Sequence, residues 1–503
     1  MLAEISSCKA CLLILSEDLQ RIGVKKMLGY FSRNKKLIHY LITALFLFGF
    51  AYIPPMAPLT PTGMGMVGVF IGAVYGWTTL NMLWPSIMAL VAMGLHIGMM
   101  PVLGASFGNP VVLMMLIMLP VMGLLNETHT TETIAVAFVT NKLTLGRPWV
   151  LIGLFFLGAF AGSLINPIVT LMLFMGFIAQ ICRSVDIPLK SPFTAVMAIG
   201  IAIAALLGQT TIPFYNAGLS YTATYAAMFQ VPIPYAKWFF FFLFIGILLC
   251  IIYTLIARFV FRLDVSRLKN LDPALFGEKK PWTTEQKISI GAFVAFILLV
   301  ILGSFLPPTN IVGAFLAKLT IFGQIALVAG VLMLLIRPDG EVLFNFGRMA
   351  ATGISWDVVF MVALIMPLAQ FLTAENTGVT PFLAMLLRPL MALPPLGFII
   401  LALVVGALLT NFANNFVIAI IIMPVIYSFS MQTGMAPLGP IMVLFVCTQM
   451  AVGTPGASFP VAICYSFSEI VDAPMMMKYA WLSVVIMIII CLAVALPIAL
   501  LLF

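Results

Sequence analysis

A segment of this chain occurs twice, and each copy leads to an asparagine within apolar sequence. Residues 111–125 align with residues 358–372, with one proline at the same place in both copies. After a small shift, Asn166 aligns with Asn415. Few residues are identical between the copies, so the match depends on hydropathy, the proline and the asparagine. This pattern predicts a duplicated unit with an interrupted helix in each half.

Long apolar runs determine the fold class. The chain is 63% hydrophobic and 8% charged, and runs such as 238–257 and 479–503 exceed the roughly 18 residues that a spanning helix needs. The runs are continuous instead of alternating, which favours helices over a β-barrel. We predict an all-α polytopic membrane protein with about 11 transmembrane helices and two re-entrant hairpins, arranged as two inverted repeats.

Basic residues divide the chain into segments. Lys35 and Lys36 precede the first apolar run, and residues 258–287, which begin with Arg258 and end with Lys287, include seven basic residues. Both groups are predicted to be cytoplasmic by the positive-inside rule, so the net charge of +8 orients the protein in the cell (inner or plasma) membrane and indicates no nucleic-acid partner. The predicted segments are an N-terminal interfacial segment, a first membrane repeat, a cytoplasmic linker and a second membrane repeat, at 1–36, 37–262, 263–287 and 288–503.

The charge rule also bears on topology. With basic residues before the first span and in the linker, the first half contains an even number of spans unless a hairpin re-enters the membrane. A re-entrant hairpin at 131–147, with a counterpart at 379–393, satisfies the rule in both halves.

The sequence lacks the groups of residues that a catalytic site or a structural metal site needs. Cys8 and Cys11 have metal-ligand spacing but no second pair nearby, and the three histidines are scattered. No Ser/His/Asp or Cys/His set stands at plausible positions. We therefore predict no enzyme activity and no organic cofactor.

The first asparagine stands at a helix break. Pro167 lacks a backbone N–H and disfavours helix at Asn166, which is well suited to cap a helix that starts at Pro167. Freed carbonyls, with the Ser163 and Asn166 side chains, offer neutral oxygens that suit Na⁺, while the helix N-terminus suits an anion. Thr410, Asn411, Ala413, Asn414 and Asn415 offer similar groups in the second half.

A second break follows each asparagine. Residues 208–213 read Gly-Gln-Thr-Thr-Ile-Pro, and residues 453–456 read Gly-Thr-Pro-Gly. Glycine and proline interrupt a helix and expose carbonyls beside hydroxyls. Together with the asparagine corners, the two breaks predict two cation sites that flank one substrate.

The distribution of charge favours one kind of transport. No Asp or Glu lies between Asp186 and Asp264 or between Glu375 and Glu469, whereas a cation antiporter normally keeps a titratable carboxylate in its core. Lys and Arg are also missing around both asparagines, so an anion needs helix dipoles and co-bound cations to balance its charge. We interpret Glu127, Glu132 and Glu375 as interfacial. The absence of charged residues around both asparagines therefore predicts cation–anion symport.

The layout from residue 37 onward resembles the divalent anion:sodium symporter family, within the ion transporter superfamily. In that family each half carries a Ser-Asn-Thr motif at a hairpin tip, whose Asn helps to hold Na⁺ and whose Thr contacts a substrate carboxylate. Asn166 and Asn415 match the two asparagines, and Thr410 and Ala413 fall at further sodium-site positions. The segments from Gly208 and Gly453 resemble the Gly/Thr-Pro breaks of the family.

The motif departs from the family at two positions. The triplets read Ile165-Asn166-Pro167 and Asn414-Asn415-Phe416, so proline and phenylalanine replace both threonines. The resemblance also implies a homodimer in the lipid bilayer and an elevator mechanism. The resulting substrate set is Asn166, Pro167, Asn415, Phe416 and Thr454, and the Na⁺ set is Ser163, Asn166, Gly208, Thr410, Ala413, Asn415 and Gly453.

The sequence leaves the substrate open between an organic, carboxylate-type anion and an inorganic anion. An anion exchanger of the same fold that works without sodium is the first alternative to symport. A membrane subunit or sensor without a transport role is the second.

Overall fold

Helices joined by short loops make up the computed structural model, which describes residues 35–503 except 272–280, 308, 338–339, 373, 380, 383–384 and 386–392. Within these ranges, extended pairing is confined to an isolated antiparallel bridge between Ile336 and Val342. The prediction of an all-α fold is therefore confirmed. The predicted N-terminal segment, up to residue 34, lies outside the described residues.

The first half of the described chain contains eleven α-helices, the first of which continues through a π turn (Leu45–Gly49) and a 3-10 turn (Phe50–Tyr52). They are α1 (Lys35–Ala44), α2 (Pro61–Thr79), α3 (Leu83–Ile97), α4 (Met99–Ala105), α5 (Pro110–Glu127), α6 (Thr130–Val139), α7 (Pro148–Ser163), α8 (Pro167–Ser184), α9 (Pro192–Thr211), α10 (Asn216–Phe229) and α11 (Tyr235–Phe259).

A 3-10 helix at Ser266–Asn270 lies in the predicted linker, and the second half follows from Thr284. Its described helices are α12 (Thr284–Phe305), α13 (Ile311–Leu334), α14 (Phe346–Gly353), α15 (Trp356–Leu372), α16 (Pro395–Leu409), α17 (Asn415–Thr433), α18 (Leu438–Thr448), α19 (Phe459–Ser466), α20 (Ala473–Ile490) and α21 (Leu496–Leu502), the last two joined by a π turn at Cys491–Ala495.

Many of these helices begin with the same local chemistry. Thr60, Asn109, Asn166 and Ser191 each accept a hydrogen bond from a backbone N–H of the first turn, and each is followed directly by a proline. A polar N-cap satisfies an N–H that has no partner within the helix, and proline at the first position loses nothing because its N–H is not needed. The starts of α2, α5, α8 and α9 are therefore determined locally.

Eight of the described helices are long and apolar enough to cross a membrane, or nine if α14 and α15, which meet at 81°, form one span. Other apolar helices, such as α7 and α16, are shorter. The count of about 11 spans stays a prediction. In the predicted hairpin at 131–147, α6 is followed by a 3-10 turn at Lys142–Thr144, while most of its counterpart at 379–393 lies outside the described residues.

The two copies of the duplicated segment form corresponding helices. Pro120 lies inside α5 and Pro367 inside α15, and each helix is followed by a pair, α7 with α8 and α16 with α17. Corresponding helices make corresponding contacts within each half: α7 packs on α9, and α16 packs on α18. Contacts between the halves also correspond: α10 of the first half contacts α17, and α19 of the second half contacts α8. This packing is what a duplicated unit would produce, and both the duplication and the inversion of one half against the other stay predictions.

The centre of the molecule is α9. Its apolar span is 94% buried, whereas the spans of α12 and α13 are 28% buried and present apolar side chains outward. α9 contacts both helices of the first pair, together with α10, α11 and α20. Residues on α9 therefore lie between the first pair and the second half of the chain.

Candidate functional site

The first corner lies between α7 and α8. Asn166 is the N-cap of α8, and its Oδ1 accepts hydrogen bonds from the N–H groups of Ile168 at 3.0 Å and Val169 at 3.1 Å. Its extended backbone, with φ −145°, breaks the path between the two helices. The predicted capping role of Asn166 is confirmed, and Pro167 is buried in the first turn of α8.

The amide nitrogen of Asn166 also has a partner. Nδ2 donates to Oδ1 of Asn126 at 3.0 Å, near the end of α5. Asn126 was in neither of the predicted residue sets. Its position at the polar end of an apolar run, directly before Glu127, was the sequence signal that could have identified it.

Ser163 and Gly208 lie against each other beneath this corner. The Ser163 side chain is fully buried and its Oγ has no hydrogen-bond partner. A Cβ at Gly208 would lie 2.5 Å from the Phe160 carbonyl oxygen and 2.8 Å from the Cβ of Ser163. Only glycine allows α9 to approach the corner this closely.

Gly208 differs from its predicted setting. We predicted it at a break, but α9 continues helically to Thr211 and the non-helical residues are 212–215. Gly208 therefore lies in the last turn of α9, and its role in the geometry is close packing. The break itself is well bonded: Trp238 Nε1 donates to the Thr210 carbonyl at 2.9 Å, and Thr222 Oγ1 donates to the Pro213 carbonyl at 2.7 Å.

The second corner differs from the first in register. Asn414 is the N-cap of α17 and accepts from the N–H of Phe416 at 2.9 Å. Asn415, which the sequence alignment placed opposite Asn166, is the first residue of the helix and is buried. By capping position, Asn414 is the counterpart of Asn166 and Asn415 that of Pro167. Two adjacent asparagines made this register ambiguous in the sequence.

Asn411 ties this corner to the break after α18. Its Oδ1 accepts from the N–H of Gly453 at 2.7 Å, and its carbonyl accepts from Thr454 Oγ1 at 2.5 Å. Its Nδ2 donates to the Ala407 carbonyl at 2.8 Å. Gly453 and Thr454, two predicted site residues, are thus held against the corner by a residue outside the predicted sets.

A buried chain of hydrogen bonds extends from Asn415 into the first half. Asn415 Nδ2 donates to Gln449 Oε1 at 3.2 Å, and Gln449 Nε2 donates to the Tyr221 hydroxyl at 2.8 Å. Thr410 Oγ1 donates to the Thr448 carbonyl at 3.1 Å. Sequence analysis missed Gln449 and Tyr221. The two residues are 228 positions apart in the sequence. The polarity of Gln449 at the end of an apolar helix was the one sequence signal for either of them.

The structure thus gathers the predicted residues into two groups. Ser163, Asn166, Pro167 and Gly208 surround the first corner, and Thr410, Ala413, Asn415, Phe416, Gly453 and Thr454 belong to the second corner and the break bonded to it. The helix that follows each break contacts a helix of the opposite corner: α10 contacts α17, and α19 contacts α8. Phe416 lies beneath the Tyr221 ring, with their centroids 5.3 Å apart.

Neutral groups dominate the interior around both corners. Among the described residues, the buried side chains that carry hydroxyl or amide groups are Ser, Thr, Asn, Gln and Tyr, all uncharged, and no group of three His, Cys, Asp or Glu within the described ranges has metal-site geometry. Glu127, next to Asn126, is partly exposed and is paired with Arg337 at 3.1 Å and Arg348 at 2.6 Å. Chemically, the corners offer hydroxyl and amide oxygens for a hard cation and helix N-termini for an anion.

Comparison with known proteins gives the family. The model of the CitMHS (citrate transporter) family matches residues 70–448. No curated protein sequence matches the chain. Among solved structures, the Alcanivorax borkumensis YdaH transporter, described as having an unusual topology, is similar in fold at TM-score 0.50 and 13% identity, covering 80% of this chain and 88% of that one.

A family model that covers most of the chain identifies it, and the transporter fold and the apolar helices agree with that assignment. The chain is a multi-pass membrane protein and a secondary transporter rather than an enzyme. It belongs to the CitMHS citrate transporter family of the ion transporter superfamily.

Proposed function

We propose that this protein couples Na⁺ entry to the uptake of a small anion across the cell (inner or plasma) membrane. The observation that carries the proposal is the neutral interior beside two helix N-termini, those of α8 and α17. The described buried polar side chains are all uncharged, so no fixed cation among them balances an anion. Helix N-termini supply about half a unit of positive charge each, and co-bound Na⁺ supplies the rest.

Ser163 supports the cation part of the proposal. A buried hydroxyl without a partner costs about 1–3 kcal/mol, and Ser163 Oγ is such a group. A Na⁺ ion held beside Ser163 and Asn166 removes this cost, because hydroxyl and amide oxygens are hard neutral ligands. Thr410, Ala413, Asn415 and the carbonyl of Gly453 form the second proposed Na⁺ site. Na⁺ is here a transported substrate.

The family description supports the anion part. Citrate transport is the activity that names the family, and we extend to this chain a carboxylate-type anion of that class, with an inorganic anion as the alternative. The substrate would lie between the corners, near Asn166, Pro167, Asn415, Phe416 and Thr454. Pro167 and Phe416 offer no side-chain donor, so recognition of a carboxylate falls to the helix N-termini and the bound Na⁺.

We further propose an elevator movement within a homodimer, in which the helix pairs slide against a framework that includes α5 and α12. Several hydrogen bonds cross between these groups. Asn166 Nδ2 donates to Asn126 Oδ1 of α5 at 3.0 Å, and Gln286 Nε2 of α12 donates to Thr133 Oγ1 of α6 at 2.9 Å, where α6 packs on α7. Cysteines at 133 and 286, joined by a short thiol-reactive crosslinker, should stop transport, and each single-cysteine variant should remain active after the same treatment. Full activity after complete crosslinking would rule out this movement.

The test of the proposed function is uptake by purified protein in liposomes. Radiolabelled citrate and a panel of di- and tricarboxylates and inorganic anions are supplied with an inward gradient of Na⁺, K⁺ or choline. We expect accumulation of one anion class only with Na⁺, abolished when the gradient is collapsed. Equal uptake in choline, stimulated by internal anion, would replace symport by sodium-independent exchange.

A further inference from the structure

The hydrogen bonds around Asn415 run in one direction. Asn415 Nδ2 donates to Gln449 Oε1, and Gln449 Nε2 donates to the Tyr221 hydroxyl. The Tyr221 oxygen lies 3.3 Å from Thr448 Oγ1, which itself donates to the Phe445 carbonyl at 3.1 Å. Since Thr448 uses its proton in that bond, Tyr221 donates to Thr448 Oγ1. Asn415, Gln449, Tyr221 and Thr448 thus each donate at least one hydrogen bond to the next acceptor.

This direction determines how the Asn415 amide is oriented. With Nδ2 turned to Gln449, Oδ1 points to the corner, where it lies 3.0 Å from the N–H of Phe416. Rotation of the amide by half a turn would place Oδ1 against Gln449 Oε1, and two acceptors would then face each other without a proton. Gln449 thus keeps the amide oxygen of Asn415, a hard neutral ligand, on the side of the proposed cation site.

Tyr221 is itself held rigidly. Its side chain is 1% exposed, its ring stacks on Phe445 with centroids 4.5 Å apart, and Phe416 covers another side at 5.3 Å. A ring packed between two others has little freedom. Its hydroxyl therefore presents Gln449 with an acceptor in a constant position.

Tyr221 also connects the two halves. It lies on α10, directly before Thr222, whose Oγ1 donates to the Pro213 carbonyl at the first break. One turn of α10 thus contacts the first break through Thr222 and the second corner through Tyr221. This turn therefore connects the first break to Gln449.

We propose that Gln449 and Tyr221 are positioning residues for the Na⁺ site at the second corner: Gln449 orients the Asn415 amide, and Tyr221 makes this orientation depend on the first half. This inference rests on the proposed Na⁺ coupling. Neither residue contacts the ion. Their loss raises the Na⁺ concentration needed for half-maximal uptake without lowering the maximal rate or changing the anion KM at saturating Na⁺.

The experiment compares Gln449→Leu and Tyr221→Phe with matched controls. Gln324→Leu removes another buried glutamine amide, on α13, whose Nε2 donates to the Leu316 carbonyl at 3.3 Å. Tyr253→Phe removes another buried tyrosine hydroxyl, which donates to the Val196 carbonyl at 3.2 Å. Na⁺ titrations of anion uptake in liposomes and of thermal stability are measured for all four variants and the parent protein.

We expect the half-saturating Na⁺ concentration to rise about fivefold to tenfold in Gln449→Leu, as the loss of one or two hydrogen bonds implies, and less in Tyr221→Phe. Both controls should keep the parent value even where their stability falls. An unchanged Na⁺ titration in both test variants overturns the inference while leaving symport intact. If Gln449→Leu does not fold, Tyr221→Phe decides alone. A parent protein without Na⁺ dependence overturns the proposed function, and this inference with it.

Discussion

Replacing Gly208 with alanine is expected to disturb the first corner more than any comparable change on α9. The added Cβ would lie 2.5 Å from the Phe160 carbonyl oxygen and 2.8 Å from the Cβ of Ser163. Non-bonded heavy atoms pack best at about 3.5 Å, so the last turn of α9 and the corner must separate by roughly 1 Å. The Phe160 oxygen is backbone and cannot rotate away, so the helix must move.

Two effects follow from this separation. Overpacking of a tight interior costs about 1–3 kcal/mol of stability. Displacement of Ser163 by roughly 1 Å also separates the proposed Na⁺ ligands, and errors of that size at a site reduce rates about 100-fold. We expect Gly208→Ala to show a small fall in thermal stability and a much larger loss of Na⁺-dependent uptake.

Two other glycines separate the effects. Gly176 lies inside α8, and a Cβ there would meet nothing within 4 Å, so Gly176→Ala should gain about 0.5–1 kcal/mol of stability and keep full uptake. A Cβ at Gly200, two turns earlier on α9, would meet the rings of Phe156 and Tyr253. Gly200→Ala should therefore lose stability but keep the parent's Na⁺ dependence.

The assays are thermal unfolding in detergent and initial uptake rates in liposomes at equal protein density, both across a Na⁺ titration. A Gly208→Ala protein with the parent's uptake and Na⁺ titration would refute the reasoning. So would a Gly200→Ala protein that loses Na⁺ dependence to the same extent, because the effect would then follow from general overpacking.

Three further substitutions test single groups. Asn415→Ala should abolish Na⁺-dependent uptake while the protein still folds, and normal uptake would exclude this site as central. Ser163→Ala deletes an unpaired buried hydroxyl, so the stability measured without Na⁺ should be unchanged or higher. The half-saturating Na⁺ concentration should rise. A clear loss of stability in choline would show that the hydroxyl has a structural partner. Asn411→Ala should lower the free energy of unfolding by about 1–3 kcal/mol, because the buried N–H of Gly453 loses its acceptor, and unaltered thermal denaturation would contradict that bond.

Local chemistry made part of this structure predictable from the sequence. An asparagine before a proline inside apolar sequence is both a cap and a break, so the start of α8 and the capping role of Asn166 followed from two adjacent residues. The second corner has no proline after its asparagines. The capping position could therefore be Asn414 or Asn415, and the structure places it at Asn414.

Long-range packing determined the features of the structure that the sequence did not predict. Gly208 was interpreted as a helix breaker, whereas α9 continues through it because glycine lets the helix pack on the Ser163 corner. A single helix pattern does not distinguish these two uses of glycine. Gln449 and Tyr221 form a hydrogen bond although they are 228 positions apart in the sequence, and neither belongs to a local sequence motif. Contacts between the halves depend on how complete helices pack, which residue spacing does not encode.

The central claim is that anion binding requires Na⁺, and the most direct test is the thermal stability of the purified protein with a panel of anions in Na⁺, K⁺ or choline. A ligand that binds only the folded state stabilises it by about 2.7 kcal/mol at 100 times its Kd. We expect citrate or a related anion to raise the melting temperature in Na⁺ and to have no effect in K⁺ or choline. An equal rise in all three salts would contradict Na⁺ coupling and leave the polar groups of both corners as structural contacts.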